Sequence, residues 1–142
     1  MNYVDFEVLS TIQLAMSWGL FGLIWIVQLV HYPAFRFVGA EQFASFHKHH
    51  TFSISLIVMP LMLIELGVST LIVLKEPQEL VGLLIFLIVL AIWGSTFLLQ
   101  VPVHRALASG KDEKKIDRLV RSNWLRTMLW SAKAVLVSWE NF

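Results

Sequence analysis

Apolar residues in this chain come in long blocks rather than in short alternating runs. Leu9–Val30 and Leu80–Val103 contain no charged residue, and Phe52–Leu74 contains one, Glu65. Each block is about 22 residues long, and a helix rising about 1.5 Å per residue needs about 20 to cross the hydrocarbon core of a bilayer. A fourth, less apolar segment, Leu119–Trp139, carries Arg126 and Lys133. Trp124, Trp130 and Trp139 suit the two interfaces of that segment and a packed face between them. The pattern predicts membrane-spanning helices over about 9–32, 51–74, 80–104 and 119–139 in a single transmembrane domain, 1–142. Between the first two, Phe43, Phe46, His47 and His50 fall at i, i+3, i+4 and i+7, one face of a helix. An amphipathic linker over 40–50 is therefore expected to lie in the interface and to turn into the second span near Thr51. Pro60 removes a backbone donor within that span and predicts a kink.

Composition points to the same solvent. Of 142 residues 57% are hydrophobic and 15% charged, with a mean hydropathy of +0.70, whereas soluble domains carry about a quarter charged residues. A 16.3 kDa particle cannot turn that much apolar surface inward. Disorder and a nucleic-acid partner are poor fits, and the lipid bilayer is the expected partner. The absence of cysteine removes disulfides, thiolate metal sites and thiol catalysis together. The first residues, Met1-Asn2-Tyr3-Val4-Asp5-Phe6-Glu7, are acidic where a secretory signal is basic, so the first helix is read as a permanent span. Arg36 and Lys48 lie in the first connection, and Arg105, Lys111, Lys114, Lys115, Arg118 and Arg121 in the third; the second holds only Lys75. Basic connections stay in the cytoplasm. The expectation is a multi-pass protein of the inner (plasma) membrane with both termini outside, periplasmic in a Gram-negative cell.

The two halves share an ordered set of residues. Gly22 precedes Gln28 by six positions, and Gly94 precedes Gln100 by six; His31 and Pro33 follow the first pair, Pro102 and His104 the second. A basic linker and another span come next each time. Superposing Gln28 on Gln100 sets His50 beside Asn123. These features predict an all-α, integral membrane four-helix bundle built as a duplicated two-helix hairpin. Both a homo-oligomer and membership of a larger membrane complex fit such a bundle.

All five histidines fall on the cytoplasmic side of this topology. Imidazole binds transition metals and haem iron and titrates near neutral pH. His31, His50 and His104, from three helix ends, are the candidate metal or haem ligands; interfacial placement at the head-group level is the alternative. A polar stripe adds to the case for a site. Thr96, Gln100 and His104 recur every four residues beside Trp93, while Asn123, Thr127, Trp130 and Ser131 line one side of the fourth helix. Gln28, Gln100, Asn123, Arg126, Trp93 and Trp130 are the candidate ligand contacts, although helix–helix hydrogen bonding also explains uncharged polar groups in lipid. Glu65 lies about 20 Å from the inner end of its helix at the ideal rise. A carboxylate at that depth is normally paired, protonated or functional. Lys133 reaches a similar depth and is a candidate partner; its alternative is to snorkel outward, leaving Glu65 neutral. His31, His104 and Glu65 are thus the candidate catalytic groups. No phosphate loop, nucleophile elbow or Asp-rich metal motif is present.

Gly19-Leu20, Trp25, Gln28 and His31-Tyr32-Pro33-Ala34-Phe35 resemble a bacterial group of small four-helix integral membrane proteins. The likeness runs on through Phe46, His50, Pro60, Glu65-Leu66, Trp93, Gln100-Val101-Pro102, His104, Asn123-Trp124-Leu125-Arg126-Thr127 and Trp130. More distantly, the Asn-x-x-Arg-Thr ending and four-span layout are similar to the anthrone oxygenase-like membrane proteins. That group is associated with oxygenation of polyketide anthrones; the His31-Tyr32-Pro33 segment and the histidine-rich linker depart from it. The expected function is a histidine-lined site at the cytoplasmic mouth for a metal, haem or quinone-like ligand, in an oxidoreductase or oxygenase. The alternatives are a structural accessory subunit and a small transporter or channel using Glu65.

Overall fold

The computed structural model describes residues 3–141, which are almost wholly helical with no strand among them. Four rods form a bundle. We define α1 as Tyr3–Ile26, continued by a π-helical turn, Val27–His31, a short α-helical turn, Tyr32–Ala34, and a 3-10 turn, Phe35–Phe37. Helix α2 is Ala40–Lys75. Helix α3 is Leu80–Ser95, continued by a π-helical turn, Thr96–Gln100, and an α-helical stretch, Val101–Leu107. Helix α4 is Glu113–Asn141. Each rod packs on its neighbours in sequence, and α1 packs on α4, which closes the ring. Connections of only a few residues make neighbours antiparallel. Residues 38–39 and 108–112 therefore share one end of the bundle, called here the basic end. Residues 76–79 and the two terminal helix ends share the other, the terminal end.

Local chemistry explains the boundaries. Gly110, with φ of 143°, follows α3 in a conformation that side chains rarely adopt, and its N–H bonds the Leu107 carbonyl. Asp112 caps α4, its carboxylate accepting from the Lys115 N–H at 3.2 Å. Glu79 caps α3 through the Gly82 N–H. Both π turns sit two residues before a proline, Pro33 and Pro102. Proline lacks an N–H and its ring clashes with the carbonyl four residues back, so a widened turn accommodates it.

Two expectations change. The break expected near Thr51 is absent: α2 runs unbroken from Ala40, because nothing between Gly39 and Pro60 interrupts a helix. At about 54 Å by the ideal rise, it exceeds the ~30 Å hydrocarbon core. Helix α4 also starts at Glu113, six residues before the expected span.

Three rods, Phe6–Phe37, Ala40–Lys75 and Leu80–Leu107, are long and apolar enough to cross a membrane. Helix α4 is not counted among them because its composition is too polar, with charged residues crowded into its first turns and Arg126 and Lys133 further along; within the bundle Asn123, Arg126, Thr127 and Lys133 are buried. The core runs along the bundle through Leu20, Ile24, Met62, Ile92 and Trp130 and ends in Phe35, Phe43, Leu107, Ile116 and Leu119 at the basic end. Large side chains such as Ile26, Leu56, Leu98 and Val135 face outward.

Candidate functional site

The π turn of α1 carries His31 to the bundle interior, where α2 meets it with His50. Their ring nitrogens, His31 Nε2 and His50 Nδ1, are 2.6 Å apart. One turn earlier on α2, His47 Nε2 lies 3.0 Å from Nδ1 of His104, which follows the π turn of α3. The Tyr32 hydroxyl is 3.1 Å from the other nitrogen of His104. Phe35, fully buried, sets the spacing: its ring is 5.0 Å from His50, 5.7 Å from His31 and 5.9 Å from His47. Four of the five histidines thus form one cluster, while His49 points outward.

Of the three expected metal ligands, His31 and His50 hydrogen-bond each other, and His104 bonds Tyr32 and His47. Among the described residues no group of three or more His, Asp or Glu side chains is arranged to hold a metal ion. His47 and Tyr32 were not among the sequence-predicted site residues. The signal for His47 was its place on the Phe43–Phe46–His50 face, and for Tyr32 its place in the His31-Tyr32-Pro33 segment.

Beside the cluster is a cavity of about 710 Å³ between α1, α2 and the continuation of α3. Its size falls among small-molecule sites, about 300–1,000 Å³. Ile24, Val27, Ile54, Val58 and Met62 make its apolar wall. Tyr32, His47, Gln100, His104 and Arg126 supply its polar side. It opens between α2 and the third rod, where Lys48, Met59 and Arg105 are exposed lining residues.

Arg126 is the most demanding group in that wall. It is 5% exposed, and no carboxylate among the described residues lies within 4.0 Å of it. Its guanidinium stacks over the Trp130 ring, 5.0 Å from the centroid, and its Nε has no hydrogen-bond partner. Gln100 donates to Ser122 at 3.0 Å and leaves its carbonyl oxygen unpaired; His47 Nδ1 is also unpaired. Three buried, unsatisfied polar atoms therefore belong to residues of one cavity wall, and each costs free energy while unpaired.

The remaining candidates lie elsewhere. Gln28 accepts from Asn123 at 2.9 Å and donates to the Val120 carbonyl at 3.2 Å, so this pair ties α1 to α4 outside the cavity lining. The Trp93 Nε1 is buried without a partner, again outside the lining. The Trp130 N–H lies 3.2 Å from both carboxylate oxygens of Glu65. Lys133 is fully buried and meets Glu65 at 3.0 Å, so it does not snorkel outward. No protein-family model, curated protein or solved structure matches this chain.

Proposed function

We propose that this chain is a membrane protein that binds an amphipathic ligand with an oxygen-bearing, quinone-like or anionic head in the cavity at the basic end. The observation that carries this reading is Arg126: a buried guanidinium without a carboxylate, in the wall of an otherwise apolar cavity. A buried charge needs a counter-charge or strong acceptors, and an oxygen of the ligand head supplies them. Tyr32, His47, Gln100 and His104 make the wall polar around the same head, and Val58 and Met62 suit its apolar body. The opening between α2 and the third rod faces the surface that lipid would cover.

In this reading the histidine cluster serves as a hydrogen-bonded proton relay beside the ligand, with His104 in contact with both Tyr32 and the cavity. A metal or haem between the imidazoles is the less favoured version, because the paired nitrogens already stand at hydrogen-bond distance. The reaction class that suits the site is oxidation or oxygenation of an aromatic substrate, in keeping with the resemblance to the anthrone oxygenase-like proteins. The basic connections support an orientation with the cavity end in the cytoplasm and both termini outside the plasma membrane. The paired π turns before Pro33 and Pro102 support a duplicated hairpin.

The test uses the protein in lipid nanodiscs with a short-chain benzoquinone and its carboxylate analogue, read by quenching of tryptophan fluorescence. Arg126→Gln is expected to weaken binding of the analogue by about tenfold to a hundredfold, the worth of a charge-assisted hydrogen bond. An absorption spectrum and elemental analysis of the same sample accompany it. Stoichiometric metal or a Soret band lost in His31→Ala/His104→Ala would replace this reading with the metal or haem version.

A further inference from the structure

The binding reading leaves one set of buried groups unused, and it is the most polar set in the middle of the bundle. Glu65 of α2 and Lys133 of α4 are both fully enclosed, 3.0 Å apart. Lys133 also donates to the Ser17 hydroxyl of α1 at 2.6 Å, and Ser17 donates to the Gln13 carbonyl at 2.6 Å. The Gln13 side chain reaches Ser69 of α2 at 3.5 Å. Gln13 is buried, yet it lines a second cavity, of about 260 Å³, at the terminal end. Ser10, Gln13 and Ser17 stand at i, i+3 and i+7 on α1, a polar stripe leading from that cavity to Lys133. Glu76, Glu79 and Glu140 line its mouth. Burial and the neighbouring Glu79 hold the Glu140 carboxyl above its usual value.

Toward the basic end the pair is closed. The Trp130 N–H spans both Glu65 oxygens, and its ring separates them from Arg126. Met62, fully buried, is one turn away on α2 and is an apolar lining residue of the ligand cavity. Lys133 is the charged group that faces Glu65, from α4; α1 contributes the Ser17 hydroxyl to the pair, and α2 itself Ser69 one turn on.

We propose that Glu65 and Lys133 form a proton-exchange site served from the terminal end and closed toward the ligand cavity. The step conserves atoms and charge. A proton leaves Lys133 Nζ as an O–H bond forms on Glu65, giving a neutral amine beside a neutral acid. The Ser17 hydroxyl turns from the Gln13 carbonyl to the amine and passes its proton on, while its oxygen receives one from the terminal-end cavity. One proton is taken from water, the pair gains one positive charge, and no electron moves. This inference does not depend on the identity of the ligand, or on there being one.

Infrared difference spectroscopy on oriented proteoliposomes tests it, with pH steps applied to one side at a time through impermeant buffers. Acidifying the terminal side should produce a carboxylic C=O band that is lost in Glu65→Gln and delayed in Ser17→Ala. Acidifying the basic side should leave it unchanged. If Glu65→Gln does not fold, Glu65→Leu/Lys133→Met removes both charges together and must also lack the band. Because Glu76, Glu79 and Glu140 also protonate from the terminal side, the reading is the difference between wild type and Glu65→Gln: spectra that do not differ, or a Glu65-dependent band that answers only to the basic side, overturn the proposal.

Discussion

Trp130 is the residue on which two chemistries meet, because its edge and its face do different work. The indole N–H holds Glu65, and the ring face carries Arg126. Trp130→Phe should keep the stacking surface and lose the N–H, so it should alter the Glu65 carboxyl band while leaving ligand affinity near the wild-type value. Lys133→Met alone leaves a buried carboxylate without its cation, and the expected loss is about 3–5 kcal/mol of stability. Glu65→Leu/Lys133→Met should recover most of that loss, and thermal unfolding of the three proteins in nanodiscs checks both statements. Phe35→Ala opens a hole against three imidazoles. A loss of about 3–5 kcal/mol is expected, with changed imidazole nitrogen resonances for His31, His47 and His50. At this scale counting residues along each helix made Lys133 a candidate partner for Glu65, and the structure decided between that pair and a Lys133 that snorkels outward. Tyr32 was not legible in advance: whether a residue beside His31 points inward depends on the π turn that precedes it.

The turns before Pro33 and Pro102 govern the elements. A π turn fits an extra residue into its circumference and so rotates everything that follows. His104 reaches both Tyr32 and His47 from beyond such a turn. Pro102→Ala permits a regular helix there, and the expected outcome is loss of the His47–His104 contact, visible in imidazole nitrogen resonances. The proline-linked turns also align the halves differently from the Gly22/Gln28 and Gly94/Gln100 register. Matching Pro33 to Pro102 sets His31, not Gln28, opposite Gln100, a shift of three residues. At the start of α4, the Lys115 N–H holds the Asp112 carboxyl below its usual value. A depressed carboxyl contributes stability above its unfolded value and loses it as pH falls through the folded one. Acidification into that range, or Asp112→Ala at neutral pH, should speed amide exchange at Lys115 and Ile116.

For the whole molecule, the outward-facing side chains define what surrounds it. Ile26, Leu56, Leu98 and Val135 are among many exposed apolar groups, a surface that suits lipid. The chain has no cysteine, so single replacements report topology without background. Gln78→Cys at the terminal end and Ser109→Cys at the basic end should react with an impermeant maleimide from opposite sides of the membrane. Labelling of both from one side would refute the transmembrane arrangement.

The blocks of apolar residues determined the helical class and the three long apolar helices directly. A backbone without water must satisfy its own hydrogen bonds, which a helix does within one segment. The sequence also put the histidines together at one end, since helix length and order set depth. What it left open was the rotation of each helix about its axis. A 3.6-residue period names a face but not the neighbour that face meets, and packing against three other rods settles that choice. Only the tertiary structure paired Gln28 with Asn123 and left Arg126 and Gln100 to a cavity. It also joined His47 to His104 and turned Arg126 and Lys133, charges on the same helical face of the fourth segment as Asn123 and Thr127, into the interior of the bundle.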